Sequence, residues 1–294
     1  NQGKLQLDAV RITTLDEADQ MADMGFLPQV RKLLRLTPAT GQRLLFSATL
    51  DGDVNKLVEQ FLHDPIVHST APVQAAVDSM SHHLFFVGDR PARNEVALRI
   101  AARQGKTIMF MRTKHGVDRQ VKKLRRAGIN AYPLHGDKGQ GARTRAIQGF
   151  SDGSVPVLVA TDIAARGIDV AAVSLVVHID PPAEHKAYLH RAGRTARGGA
   201  AGTVVTLVMD EQREEVSALI NKAGVTATEH DISSRDNPAG APVLKEVTGA
   251  RKPNGPALPP PGQATPQNQA KPAKKKSPSQ RRHPGSRKTR RRGR

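Results

Sequence analysis

The 294-residue chain contains no cysteine, which excludes disulfides, thiolate zinc sites and cysteine nucleophiles and leaves packing alone to hold the fold. It has no run of 18 or more apolar residues and no charged-then-apolar leader, so neither a membrane span nor secretion is expected. The expected location is cytoplasmic. No acidic residue follows Glu246, whereas fourteen Lys or Arg do. Of the formal net charge of +18, only about +4 therefore belongs to residues 1–246, an ordinary value for a folded domain. The first residue is Asn1, not Met, and Ala9–Leu15 already reads as a buried strand, so the chain is expected to begin inside a domain.

What is present divides into three zones. Residues 1–72 alternate short apolar strands, Ala9–Leu15 and Arg43–Phe46, with helical stretches. Val30, Leu33 and Leu34 fall at helical spacing after Pro28, a residue suited to a first helical turn. Residues 73–232 hold a fuller set, with strands expected near Leu84–Val87, Thr107–Met111, Asn130–Pro133, Val155–Ala160, Leu175–Ile179 and Thr203–Val208. Helical segments separate most of them. This alternation predicts an α/β fold with a doubly wound parallel sheet, whose functional loops leave the carboxyl ends of the strands. Residues 233–294 are rich in Pro, Gly, Gln and Lys/Arg, too poor in apolar side chains to offset the entropy of ordering, and are expected to be disordered. Lys271–Arg294 carries twelve Lys or Arg in twenty-four residues and no aromatic. Nucleic-acid binding there would be electrostatic and salt-dependent, without base stacking.

Four constellations carry chemistry. Asp16-Glu17-Ala18-Asp19 follows the strand ending at Leu15; such acids can hold a hydrated magnesium ion and orient a water, or cap the next helix. Ser47-Ala48-Thr49 follows the strand Arg43–Phe46, where small hydroxyls can link neighbouring loops or act as a helix N-cap. Ala160–Val170 includes Thr161, Asp162, Gly167 and Asp169: glycine permits close backbone approach, and the acids can accept from sugar hydroxyls. In His190–Arg197 the arginines 191, 194 and 197 recur every three residues, on one side if the segment is helical, able to meet a triphosphate or to form a solvated face.

In order and spacing these segments resemble the later motifs of DEAD-box RNA helicases over residues 5–228. Phe110-Met111-Arg112-Thr113-Lys114 and His135-Gly136-Asp137 with Gln140 and Arg143 agree with this. The resemblance implies the end of a first RecA-like lobe (1–72), a complete second RecA-like helicase C-terminal lobe (73–232) and a disordered basic tail (233–294). ATP and Mg would lie between the lobes, and single-stranded RNA would cross both. Asp16 would hold Mg through water and Glu17 would position the hydrolytic water. Asp19 would reach His190, Ser47 and Thr49 would couple hydrolysis to RNA, Gly167 and Asp169 would meet the ribose, and Arg194 and Arg197 would act as arginine fingers. Arg112, Thr113, Gln140, Arg143 and Thr161 would touch RNA phosphates and sugars, giving sequence-independent recognition. Ribosomal-precursor or RNA-degradation complexes are the partner classes left open, with no membrane.

The departures from the family matter too. No G-x-x-x-x-G-K-[ST] phosphate loop occurs, so this chain alone is expected to be inactive, and residues 5–72 are expected to pack poorly for want of partner strands. Ala192 stands where a branched apolar residue is usual and Ala196 where glycine is usual; a positive φ at Ala196 would be strained. The competing readings are an RNA-binding module without turnover and a DNA helicase of the same superfamily, the latter disfavoured because the acidic motif ends in Asp19 and not His.

Overall fold

The computed structural model describes residues 5–50, 52–69, 80–165, 170–197, 200–234 and 236–262. Its main body is a seven-stranded parallel sheet built from β3 (Met80–Gly88), β4 (Lys106–Phe110), β5 (Ala131–Leu134), β6 (Val157–Ala160), β7 (Val173–His178), β8 (Gly202–Met209) and β9 (Thr228–Asp231), in the order β5-β6-β4-β7-β8-β3-β9. A parallel sheet must be covered on both faces, and its strands accordingly read as near-continuous apolar runs. Side chains alternate between two cores: Leu84, Phe86, Ile108, Phe110 and Leu158 face one, while Phe85, Val87, Met109, Val157 and Val159 face the other. The first is covered by α6 (Gln140–Ser151), α7 (Asp162–Ala165), α8 (His185–Ala192) and α9 (Arg213–Lys222), the second by α4 (Arg90–Ala101), α5 (Lys114–Arg126) and α10 (Pro242–Thr248). Each large side chain so buried stabilises the lobe by about 1.5–3 kcal/mol.

Local sequence sets the helix starts. Asp89 caps α4, its carboxylate accepting from Ala92 N–H at 2.8 Å, with Pro91 in the first turn; Thr113 caps α5 by accepting from Gly116 N–H at 3.0 Å.

Order continues past residue 233, where composition alone predicts none. The helix α10 buries Leu244 and Thr248, and Arg103 donates to the Thr248 carbonyl at 2.7 Å. Residues 251–262 then run as a strap across α5: Leu258 N–H donates to Arg125 O at 2.8 Å, and Arg125 Nε donates to Pro259 O at 2.5 Å. Gly128 meets Gly255 so closely that a Cβ on Gly128 would collide with the Gly255 backbone. The expectation of disorder fails here because Val243, Leu244 and Val247, spaced for one helix face behind Pro242, suffice to dock on a neighbouring core. The basic segment Lys271–Arg294 lies outside the described residues.

The N-terminal unit is smaller. β1 (Ile12–Leu15) and β2 (Gln42–Leu45) pair in parallel, flanked by α1 (Ala18–Asp23), α2 (Leu27–Arg35) and α3 (Gly52–Phe61) around a core of Leu27, Leu34, Leu57 and Phe61. Arg43 ties this core together, donating to Phe61 O at 2.8 Å and Leu34 O at 3.2 Å while stacking on the Phe61 ring. The strand expected to be buried over Ala9–Leu15 forms only from Ile12, which is 59% exposed; Leu44 and Phe46 are exposed as well. With only β2 beside it among the described residues, β1 has no neighbour on its other edge to complete its burial.

Candidate functional site

The acidic loop leaves β1 through a sharp turn. Glu17 adopts φ 52°, ψ 46°, a left-handed conformation that costs a residue with a Cβ roughly 1–2 kcal/mol. Asp16 helps hold it, its carboxylate accepting from Glu17 N–H at 2.9 Å, and Ala18 N–H donates to Phe46 O at the end of β2. Ser47 lies in the next loop, where its Oγ accepts from Asp19 N–H at 3.1 Å and donates to Thr49 O at 2.6 Å. The hydroxyl therefore joins two loops twenty-eight residues apart, so it is not simply a helix cap.

The second unit approaches the same loop with α8 and the turn after it. His190 Nε2 is 3.5 Å from Asp19 Oδ2, and Arg194 Nη2 is 3.6 Å from Glu17 Oε1. Both distances are long for hydrogen bonds and represent charge contacts across a seam. Asp19 is only 2% exposed, and its carboxylate oxygens meet their polar neighbours only at long or poorly aligned geometry. Burial acts to raise its pKa, but the contact and charge of His190, the Gln20 N–H and the Ser47 hydroxyl outweigh it and hold the carboxyl below its usual range. A cavity of about 750 Å³ opens beside the seam, lined by Asp16, Glu17, Asp19, Ser47 and His190. A second, of about 310 Å³, lies between Gln20 and Asp23 on one side and Asp162, His190 and Arg194 on the other. A third, apolar cavity of about 550 Å³ lies under the strap, between Val121, Tyr132 and Leu258, and shares no residue with the other two.

The three periodic arginines of 191–197 do different work. α8 ends at Ala192, and Arg191 turns inward, 3% exposed, forming two bonds to Asp162 at 2.5 and 2.9 Å and one to Asp180 O at 2.8 Å, over the Phe110 ring. Asp162 is thus engaged in an internal ion pair. Arg194 and Arg197 are partly exposed, their Nε atoms donating back to His190 O and Gly193 O. Ala196 between them has φ 54°. Gly167 and Asp169 lie outside the described residues.

Arg112, Thr113, Gln140, Arg143 and Thr161 all sit at the carboxyl ends of adjacent strands β4, β5 and β6. Arg112 and Gln140 are exposed. Arg143 donates to Ala164 O at 2.7 Å, and Thr161 N–H donates to Leu134 O, which tie the loops after β5 and β6 into one surface. Asp180 escaped sequence reasoning. It accepts from Arg93 at 2.8 Å and from Arg112 N–H at 3.0 Å, fixing the loop after β4. Its one legible signal is its position directly after the strand expected at Leu175–Ile179.

Comparison with known proteins matches this arrangement. The family described as DEAD/DEAH box helicase matches residues 1–57, and the helicase conserved C-terminal domain matches residues 92–199, together more than half of the chain. The chain belongs to the DEAD-box helicase family. It is similar to the ATP-dependent RNA helicase RhlB of Pseudomonas syringae pv. tomato, at 37% identity over 76% of this chain and 57% of that protein. Similarity to the DEAD-box ATP-dependent RNA helicase CshA of Geobacillus kaustophilus is 35%, over 71% of this chain and 45% of that one. The chain thus spans about half the length of the curated relatives it matches. Among solved structures, S. cerevisiae Dbp5 bound to RNA and ADP BeF3 matches with a TM-score of 0.71 at 29% identity, covering 83% of this chain and 65% of that one. The family's two RecA-like lobes account for the α/β architecture seen here.

Proposed function

We propose that the protein to which these 294 residues belong is an ATP-dependent RNA helicase, in which ATP binding draws the two lobes together and hydrolysis releases RNA after duplex opening or RNA–protein remodelling. The observation that carries this reading is the pair of charge contacts across the seam, Glu17 to Arg194 and Asp19 to His190. Acids on one lobe thus face a guanidinium and an imidazole on the other.

The donors fit the groups the reading requires. Asp16 is an exposed carboxylate with no cation paired to it among the described residues, and it offers the hard oxygen that magnesium prefers through its water shell. Mg bound there would neutralise phosphate charge. Glu17 orients the attacking water, and Arg194 and Arg197 stabilise charge on the terminal phosphate, a contribution of about 10³–10⁵ in rate in comparable systems. Ser47 and Thr49 transmit the state of this loop toward the RNA side. RNA is held by Arg112, Thr113, Gln140, Arg143 and Thr161 through phosphates and sugars, independent of sequence. A cytoplasmic setting and work within ribosomal-precursor or RNA-degradation complexes fit this chemistry. No helix among the described residues is long and apolar enough to cross a membrane.

The test is RNA-stimulated ATP hydrolysis by the full-length protein. Glu17→Gln and Arg194→Ala are each expected to lower the rate at least about 10³-fold without abolishing RNA binding. Full activity in either variant would overturn the assignment, and equal stimulation by DNA would move it to the DNA-helicase reading. One observation favours an RNA-binding module for the present chain: it contains no phosphate loop. These 294 residues are therefore expected to bind RNA without hydrolysing ATP, and turnover by them would contradict that.

A further inference from the structure

A second cationic site lies on the same sheet edge, beyond the residues assigned to RNA above. The carboxyl ends of β4, β7, β8 and β3 are neighbours in the sheet, and a cleft of about 370 Å³ opens there. It is lined by Arg90, Arg93, Arg112, Arg119 and Gln212, with Asp180 as its one acid. Both oxygens of Asp180 are already engaged, by Arg93 Nη1 and Arg112 N–H. No ion pair engages the side chains of Arg90, Arg112 or Arg119 among the described residues, and all three are exposed. Arg93 is 7% exposed, and its Nε is buried without a hydrogen-bond partner.

The helices add to the imbalance. Arg90 is the first residue of α4, and neither α4 nor α5 carries an acid in its first turn. A helix amino terminus bears partial positive charge and disfavours a cation unless an anion is present. The cleft therefore has four guanidinium groups against one spent carboxylate; Asp89 already caps the start of α4, and the start of α5 carries no acid. That is the composition of an anion site left uncompensated by the protein itself.

The geometry points to a phosphate-binding extension of the RNA track, in which Arg90 and Arg119, with Arg93 and Gln212 behind them, take backbone phosphates of the strand that Arg112 and Thr113 hold over β4. RNA is favoured over a free polyphosphate because the cleft is continuous with the β5-β6-β4 surface, sharing Arg112 and Thr113 with it. The inference rests on the RNA reading proposed above. It also predicts that a strand on this lobe runs past β4 toward β3.

The experiment measures binding of a fluorescent fifteen-nucleotide oligouridylate to the full chain across a salt series, comparing wild type, the double variant Arg90→Gln/Arg119→Gln and the charge-keeping Arg90→Lys/Arg119→Lys. The basic tail is common to all three proteins and cancels in the comparison. The glutamine variant is expected to bind about fivefold more weakly at low salt, with a salt slope shallower by about 0.7 for each phosphate lost. The lysine variant should keep most of the slope, and melting curves should coincide, since neither side chain has an internal ion pair. Unchanged affinity and slope in the glutamine variant, with wild type binding normally, would overturn the extension and leave the RNA reading standing. No binding of oligouridylate by wild type would overturn the RNA reading itself. Tripolyphosphate binding that is lost in the glutamine variant while RNA binding is unchanged would assign the cleft to a free polyanion.

Discussion

Ala196 gives a direct test of how local strain is stored beside the arginine pair. Its φ of 54° places a Cβ in the left-handed region, on the turn between Arg194 and Arg197. That conformation costs a residue with a side chain roughly 1–2 kcal/mol, whereas glycine adopts it freely. Glycine also makes the unfolded chain more flexible, an opposing effect of about 0.4–1 kcal/mol. The net expectation for Ala196→Gly is a gain of about 0.5–1 kcal/mol. For a unit of this size, that raises the melting temperature by roughly 1–4 °C. The surroundings permit the change, since it removes an atom and adds none. Circular dichroism melts of wild type, Ala196→Gly and Ala196→Val provide the measurement. Valine, branched at Cβ, should lie below wild type by more than glycine lies above it. A glycine variant that melts at or below the wild-type temperature would show that the strain is relieved elsewhere, and would remove the argument that this turn is held by its surroundings.

Two further outcomes follow from the second lobe. His178 is fully buried, donating to or accepting from Thr206 Oγ1 at 3.1 Å, and burial together with the charges of Arg191 and His82 pushes its pKa well below that of a free imidazole. Burial likewise lowers His83 and His230, which face each other at 3.0 Å, with Glu246 partly offsetting the effect on His230. The unfolded chain thus binds more protons than the folded one, so stability is full above a pH of about 6.5 and declines as pH falls below it. A denaturation midpoint unchanged between pH 7.5 and 5 would contradict these neutral histidines. Separately, Arg191→Met should destabilise the lobe by about 3 kcal/mol, discounted toward 1–2 because Asp162 keeps 39% of its side chain exposed and can be rehydrated. Equal stability by urea titration would show that the pair is not structural.

Much of the candidate site was legible because motifs are local. Asp16-Glu17-Ala18-Asp19, Ser47-Ala48-Thr49 and His190–Arg197 each sit within a few residues of a strand end or on one helix, so spacing alone locates them. The strands of the larger sheet were legible for a related reason: a strand buried on both faces must be apolar throughout, and Leu84–Val87 and Val155–Ala160 are. The ordered segment 236–262, helix and strap together, was hidden. Its seven-residue helix and the backbone bonds around Arg125 gain their stability from a surface formed far away in the chain, while local composition speaks for disorder.

Residue types and order therefore determined which side chains could handle a phosphate and which could not, since a carboxylate or a guanidinium keeps its chemistry wherever it stands. Tertiary structure decided which of them face the seam. Arg191 and Arg194 are equivalent by spacing, yet Arg191 is turned onto Asp162 in the interior while Arg194 faces Glu17 across the seam. Only the packing of α8 against the sheet separates the two, because the ending of the helix at Ala192 sends one guanidinium inward and leaves the other at the cleft.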